Sequence, residues 1–128
     1  MREQPEGKSQ RLVRIEHEIV RELSEIVHEE LKDPRVGFVT ILAAEVSPDL
    51  RSARVYASPM GDERASRETM KGLQSAAGFL SAELGKRMHT RRTPSLTFVR
   101  DNSIARAVRV SQVIDEVRKR DELKNSER

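Results

Sequence analysis

The sequence predicts an α+β domain in which helices pack on a three-stranded sheet. Three observations carry that class. An apolar period of 3.6 residues runs through residues 12–26, two alternating stretches meet at a Pro-containing turn near residues 47–50, and a second helical period over residues 70–88 leads into a third alternating stretch. The predicted order is α-β-β-α-kink-α-β-α over residues 9–117, between a flexible N-terminus of residues 1–8 and a charged C-terminal tail of residues 118–128.

Ser9 is placed to N-cap the first helix, whose stripe is Leu12, Ile15, Ile19, Leu23 and Ile26. Val13, Val20 and Val27 form a second row seven apart, so the apolar face is wide enough for two neighbours. Asp33-Pro34 should end this helix, because the residue before proline is pushed out of the α region. Phe38 to Val46 reads as a strand whose phase slips near Leu42-Ala43: Val39 and Ile41 share one parity, Ala44 and Val46 the other. A β-bulge would do that, as would a strand buried on both faces. Ser47-Pro48-Asp49-Leu50 is a turn. Arg51 to Ser58 then alternates, with Ala53, Val55 and Ala57 on one side, Arg54 and Tyr56 on the other, completing a hairpin.

Asp62 can cap the next helix, whose stripe is Met70, Leu73, Ala77, Leu80, Leu84 and Met88. Gly72, Gly78 and Gly85 interrupt it, each costing roughly 1 kcal/mol relative to Ala in a helix interior. The step Ala76-Ala77-Gly78 permits a sharp kink with the apolar face still in register, and a close helix contact would explain the same residues. Thr93-Pro94 leads into a third strand, Ser95 to Arg100. Asp101, Asn102 and Ser103 offer caps for a last helix with the stripe Ile104, Val108, Ser111, Ile114 and Val117.

The chain of 128 residues is one domain's worth, with 36% apolar and 35% charged residues, which suits a thin core. No Trp, one Tyr and three Phe argue against binding single strands mainly by stacking bases. The absence of Cys removes disulfides, thiolate metal sites and cysteine nucleophiles. No apolar run approaches a membrane span and the N-terminus lacks a signal-peptide stretch, so a soluble intracellular protein is expected.

The net charge of +3 is unevenly spread. Lys86 to Arg100 carries five basic residues (Lys86, Arg87, Arg91, Arg92, Arg100) and no acid, a local patch that a polyanion would read. A solvated helix end answering the helix dipole is the plainer alternative.

No catalytic constellation appears. His17-Glu18 and His28-Glu29 start a zincin pattern, but Arg21 and Lys32 stand where its second His belongs. His17 and His28 would lie about 16 Å apart along a helix, too far to share a metal, and both fall opposite the apolar stripe. The glycines at 7, 37, 61, 72, 78 and 85 fit neither a P-loop nor a dinucleotide fingerprint. Glu29-Glu30 and Asp62-Glu63 should be solvated carboxylates at helix ends. Neither enzymatic activity nor a cofactor is expected.

Several segments in order carry a family likeness: Lys32-Asp33-Pro34-Arg35-Val36-Gly37-Phe38-Val39-Thr40, Glu45-Val46-Ser47-Pro48-Asp49-Leu50, Ala76-Ala77-Gly78-Phe79, Leu84-Gly85-Lys86-Arg87, Thr93-Pro94 with Leu96-Thr97-Phe98-Val99, and Asp101-Asn102-Ser103-Ile104. Over roughly residues 9–117 the chain resembles bacterial ribosome-binding factor A. That resemblance implies a KH-type (type II-like) domain and a cytoplasmic, non-enzymatic assembly factor. Such a factor binds the free small (30S) ribosomal subunit and its 16S rRNA, supports 5′-end processing late in maturation, is associated with growth in the cold, and is released with the help of an assembly GTPase. A monomer is expected. KH domains at large clamp RNA with a GxxG loop; here no two glycines stand three apart, and Ala76-Ala77-Gly78 matches the family's Ala-x-Gly kink instead.

The candidate RNA-binding residues are therefore Ser75, Ala76, Ala77 and Gly78 at the kink, Lys86, Arg87, Arg91 and Arg92 on phosphates, and Arg64, Arg67 and Lys71 from the preceding helix. Two rival readings are a generic KH-type RNA binder that prefers single strands, and a protein–protein adaptor docking through the Val13/Val20/Val27 row. The adaptor needs those valines exposed.

Overall fold

Ser9 Oγ accepts a hydrogen bond from the Leu12 N–H at 3.1 Å, and the cap starts α1, Gln10–Glu29. The computed structural model describes residues 9–90 and 92–101. Ile19, Leu23 and Ile26 are fully buried, and Leu12 and Ile15 pack on the same core. Val27 is also buried and Val20 lies against the core, so the valine row is not an exposed ridge and the adaptor reading loses its surface. The helix stops one turn before the position expected from Asp33-Pro34. The Glu30 and Leu31 N–H groups both turn to the Ile26 carbonyl, at 2.8 and 3.1 Å, and Leu31 packs on the core instead of continuing the helix.

Strand β1, Val39–Val46, pairs antiparallel with β2, Ser52–Pro59. Ile41 faces Ala57 and Ala43 faces Tyr56, so Leu42 is the extra residue of a bulge. The bulge resolves the phase slip: Val39, Ile41, Ala44 and Val46 are all buried. Phe38, expected inside the strand, lies just before it and is exposed. Strand β3, Ser95–Arg100, joins β2 in parallel, giving the order β1-β2-β3. A parallel neighbour requires a crossover, which the next two helices supply.

Asp62 accepts a hydrogen bond from the Ala65 N–H at 2.8 Å and starts α2, Glu63–Ser75; α3 follows as Ala77–Met88. Ala76, at φ −89° and ψ 4°, ends one helix and begins the other, which is the kink expected from Ala76-Ala77-Gly78. Its N–H contacts both the Gly72 and Leu73 carbonyls, tightening the last turn of α2, and the Leu80 N–H returns to the Ala76 carbonyl at 2.8 Å. Leu73, Leu80 and Leu84 are fully buried and meet Val55, Leu96 and Phe98 in a single core. Side chains from the helices reach both free edges of the sheet. Glu16 accepts from the Val46 N–H at 2.8 Å on β1, and Gln74 lies against Leu96 and Phe98 on β3. The expected last helix, Ile104 to Val117, and the tail lie outside the described residues.

Candidate nucleic-acid interface

The three helical glycines behave differently. An alanine methyl at Gly72 would stand 2.5 Å from Val36 Cγ2, and one at Gly85 would stand 2.7 Å from Thr93 Cγ2. Both glycines are therefore demanded by close packing against a neighbouring segment. Gly78 has nothing within 4 Å of the corresponding position, and its backbone is helical. Among the described residues, neither packing nor conformation requires glycine there. What glycine does offer is a bare, exposed backbone in the first turn of α3, whose start no side chain caps. Ser75 and Gly78 are exposed, while Ala76 and Ala77 are half-buried.

On α2, Arg64, Arg67, Lys71 and Ser75 recur at three- and four-residue intervals on the exposed side, opposite the buried Ser66, Thr69, Gly72 and Leu73. Lys71 stands 3.9 Å from Glu68; Arg64 and Arg67 make no ion pair within 4 Å among the described residues. This face of α2 ends at the exposed Ser75, next to the kink.

The basic run from Lys86 to Arg100 divides in space. Lys86 is exposed on the same side of α3 as Gly78 and Ala82, and its ammonium pairs with Glu83 at 3.2 Å. Arg87 turns the other way. Its guanidinium meets Glu25 at 2.9 Å, Glu30 at 3.0 Å, Glu22 at 3.4 Å and Glu29 at 3.9 Å. Its hydrogen bond to Glu30 leads the forces holding it more firmly protonated than usual. Engaged with four carboxylates of α1 and the turn after it, Arg87 is an α1–α3 tether rather than a free phosphate ligand, and Glu29 and Glu30 are not merely solvated. Arg100 pairs with Glu63 at 2.9 Å. Arg92 is exposed, and Arg91 lies outside the described residues.

The segment between α1 and β1, part of the family likeness but not of the candidate site residues, packs on α2. The buried Thr69 hydroxyl accepts from the Gly37 N–H at 3.1 Å and donates to the Arg35 carbonyl at 3.4 Å, holding residues 35–37 on α2 beside Gly72. Arg35 closes on Asp33 through three hydrogen bonds, and its side chain is the first cause that lowers the Asp33 pKa. Phe79, 45% exposed, forms one wall of a groove whose other wall is Glu30 to Pro34. For the Arg87 tether, the sequence signal was the acids at 22, 25 and 29, spaced on one helix face. Among the described residues, no three His, Asp or Glu side chains gather as a cation site.

A family model described as Ribosome-binding factor A matches residues 11–114. The ribosome-binding factor A of Agathobacter rectalis is 44% identical over 108 residues, covering 84% of this chain and 89% of that protein. The crystal structure of ribosome-binding factor A from Thermus thermophilus superposes with a TM-score of 0.61 at 29% identity, over 70% of this chain and 94% of that one. A Thermus thermophilus homology model fitted into the cryo-EM map of a 30S complex gives a TM-score of 0.55 at 25% identity, over 75% of this chain and 97% of that one. These neighbours share the KH-like α+β arrangement of helices on a three-stranded sheet. The matched residues include α1, the bulged hairpin, the kinked helix pair and β3, and the chain belongs to the ribosome-binding factor A family.

Proposed function

We propose that this chain is a cytoplasmic assembly factor that binds the free small ribosomal subunit through its 16S rRNA. It supports late maturation and 5′-end processing without chemistry of its own, and it leaves with the help of an assembly GTPase. The observation that carries the reading is Gly78, a glycine that no packing among the described residues demands, set in a helix start without a side-chain cap and following a row of exposed cations on α2. Contact with an outside phosphodiester backbone is a reason for leaving that site bare. The relative fitted into a 30S complex supports the same partner.

The interface comprises Ser75 to Gly78 with Arg64, Arg67 and Lys71, extended by Lys86, Arg91 and Arg92. Arg87 contributes by holding α3 against α1. Phosphate contacts position a protein without reading sequence, so selectivity comes from the shape of a folded rRNA junction.

Co-sedimentation with free small subunits, large subunits and assembled ribosomes tests the reading at low and high salt. Salt-sensitive binding to small subunits alone is expected. Removing Arg64, Arg67 and Lys71 together should flatten the logarithmic salt slope by about 2 to 3 units, at about 0.9 per lost phosphate contact. Equal binding to all three particles would make the chain a nonspecific polyanion binder, and no binding would reject the RNA reading.

A further inference from the structure

We propose that Gln74 is a specificity-determining residue that keeps unpaired bases off the free edge of β3, so that the interface accepts folded, base-paired RNA and rejects single strands. The inference rests on the RNA-binding reading above.

Among the described residues, β3 is the outer strand of the sheet, paired on one side only. The Ser95 N–H bonds to the Arg51 carbonyl and the Asp101 N–H to the Ala57 carbonyl, so alternate residues of β3 point toward β2. The intervening groups, the Leu96 C=O and the Phe98 N–H, point outward. Such a pair invites any partner that presents a donor beside an acceptor.

Gln74 supplies both. Its Nε2 donates to Leu96 O at 3.3 Å and its Oε1 accepts from Phe98 N at 2.9 Å. The two groups flank Thr97 and are those that one residue of a fourth, parallel strand would engage. The carboxamide thus imitates a strand residue and occupies this part of the edge.

The same donor–acceptor spacing belongs to the edge of an unpaired nucleobase, whose ring N–H or amino group adjoins a carbonyl or ring nitrogen. Arg67 and Lys71 precede Gln74 by seven and three residues and lie on its side of α2. A single strand laid along β3 would therefore find cations for its phosphates, while Gln74 already fills the position where a base would bond. A base-paired helix has its Watson–Crick edges occupied and loses nothing by that. Gln74 therefore withdraws base readout and leaves phosphate contact open. The few aromatic side chains do not replace the lost readout by stacking.

The test compares wild type with Gln74→Ala and with Gln74→Met, which keeps the side-chain bulk and loses the amide. The probes are a short oligouridine and an RNA hairpin of the same length. For Gln74→Ala, oligouridine affinity should rise about tenfold, the scale of one bidentate base contact. Hairpin affinity should stay unchanged, and the Phe98 amide resonance should shift on adding oligouridine. Gln74→Met should show a smaller gain and guards against misfolding of the alanine variant. An unchanged oligouridine affinity in both variants, with hairpin binding intact, would overturn the inference alone. So would wild type binding oligouridine as tightly as the hairpin, or self-association of Gln74→Ala through the opened edge. Failure of every variant to bind either RNA or small subunits would instead reject the RNA-binding reading and this inference with it.

Discussion

Replacing Gly78 with alanine adds one methyl group to the first turn of α3. Among the described residues, no atom of another segment or side chain lies within 4 Å of that position, so none of them has to move. Alanine exceeds glycine in a helix interior by about 1 kcal/mol, and about half of that is expected so near a helix end. At roughly 4 °C per kcal/mol for a domain of this size, the thermal midpoint should rise by about 2 °C. The same change at Gly72 sets a methyl 2.5 Å from Val36 Cγ2 and 3.4 Å from Arg35 Cβ. Overpacking of that kind costs about 1–3 kcal/mol, a fall of roughly 4–12 °C on the same scale. Calorimetry of both variants checks the stability half of the argument, and co-sedimentation with small subunits checks the other half. Gly78→Ala should be the more stable protein and the weaker binder. A Gly78→Ala midpoint that falls as far as that of Gly72→Ala would refute the claim of open space. A raised midpoint with undiminished binding would show that no partner approaches this backbone.

Other perturbations separate tethers from free cations. Arg87→Glu should lower the urea midpoint clearly, because it sets a fifth carboxylate among Glu22, Glu25, Glu29 and Glu30, whereas Arg64→Glu on the open face of α2 should leave the midpoint nearly unchanged and weaken subunit binding. Leu80→Ala removes a fully buried side chain where α3 meets the core, and urea denaturation should show a loss of about 2–5 kcal/mol. The hydrogen bond from Arg100 is the first cause holding the Glu63 carboxyl below its usual range. A carboxylate depressed on folding adds stability above its unfolded pKa, and that contribution disappears as the pH falls through its folded value. The Arg100–Glu63 contribution should therefore be present at neutral pH and vanish in acid. In an NMR titration, Arg100→Gln should move the Glu63 carboxyl resonance toward an ordinary glutamate midpoint; an unmoved midpoint would remove Arg100 as the cause.

Much of the architecture was legible because it depends on local rules. Ser9 and Asp62 cap the helices they precede, the parity change around Leu42 is a bulge, and Ser95 to Arg100 is the third strand. Each feature follows from hydrogen-bonding chemistry or side-chain periodicity within a few residues. The end of α1 was misread because the Leu31 N–H turns to Ile26 before the proline restriction takes effect. That choice depends on what Leu31 packs against, which no local rule contains.

The candidate interface divides along the same line. Composition and spacing alone determined an α+β chain without cysteine chemistry, the basic run from Lys86 to Arg100 and the glycine-bearing kink, while Arg64, Arg67 and Lys71 entered with the family resemblance. Only the tertiary structure decided which cations remain available and which glycines the fold requires. Arg87 looks free beside Lys86 until α1 brings its acids to within hydrogen-bonding distance, and Gly78 looks like Gly72 and Gly85 until their neighbours are in place. Gln74 reaches β3 across twenty-two residues of chain. Periodicity reports the face on which a side chain stands; the tertiary fold brings residues distant in sequence to that face, and they determine the charge and space left there.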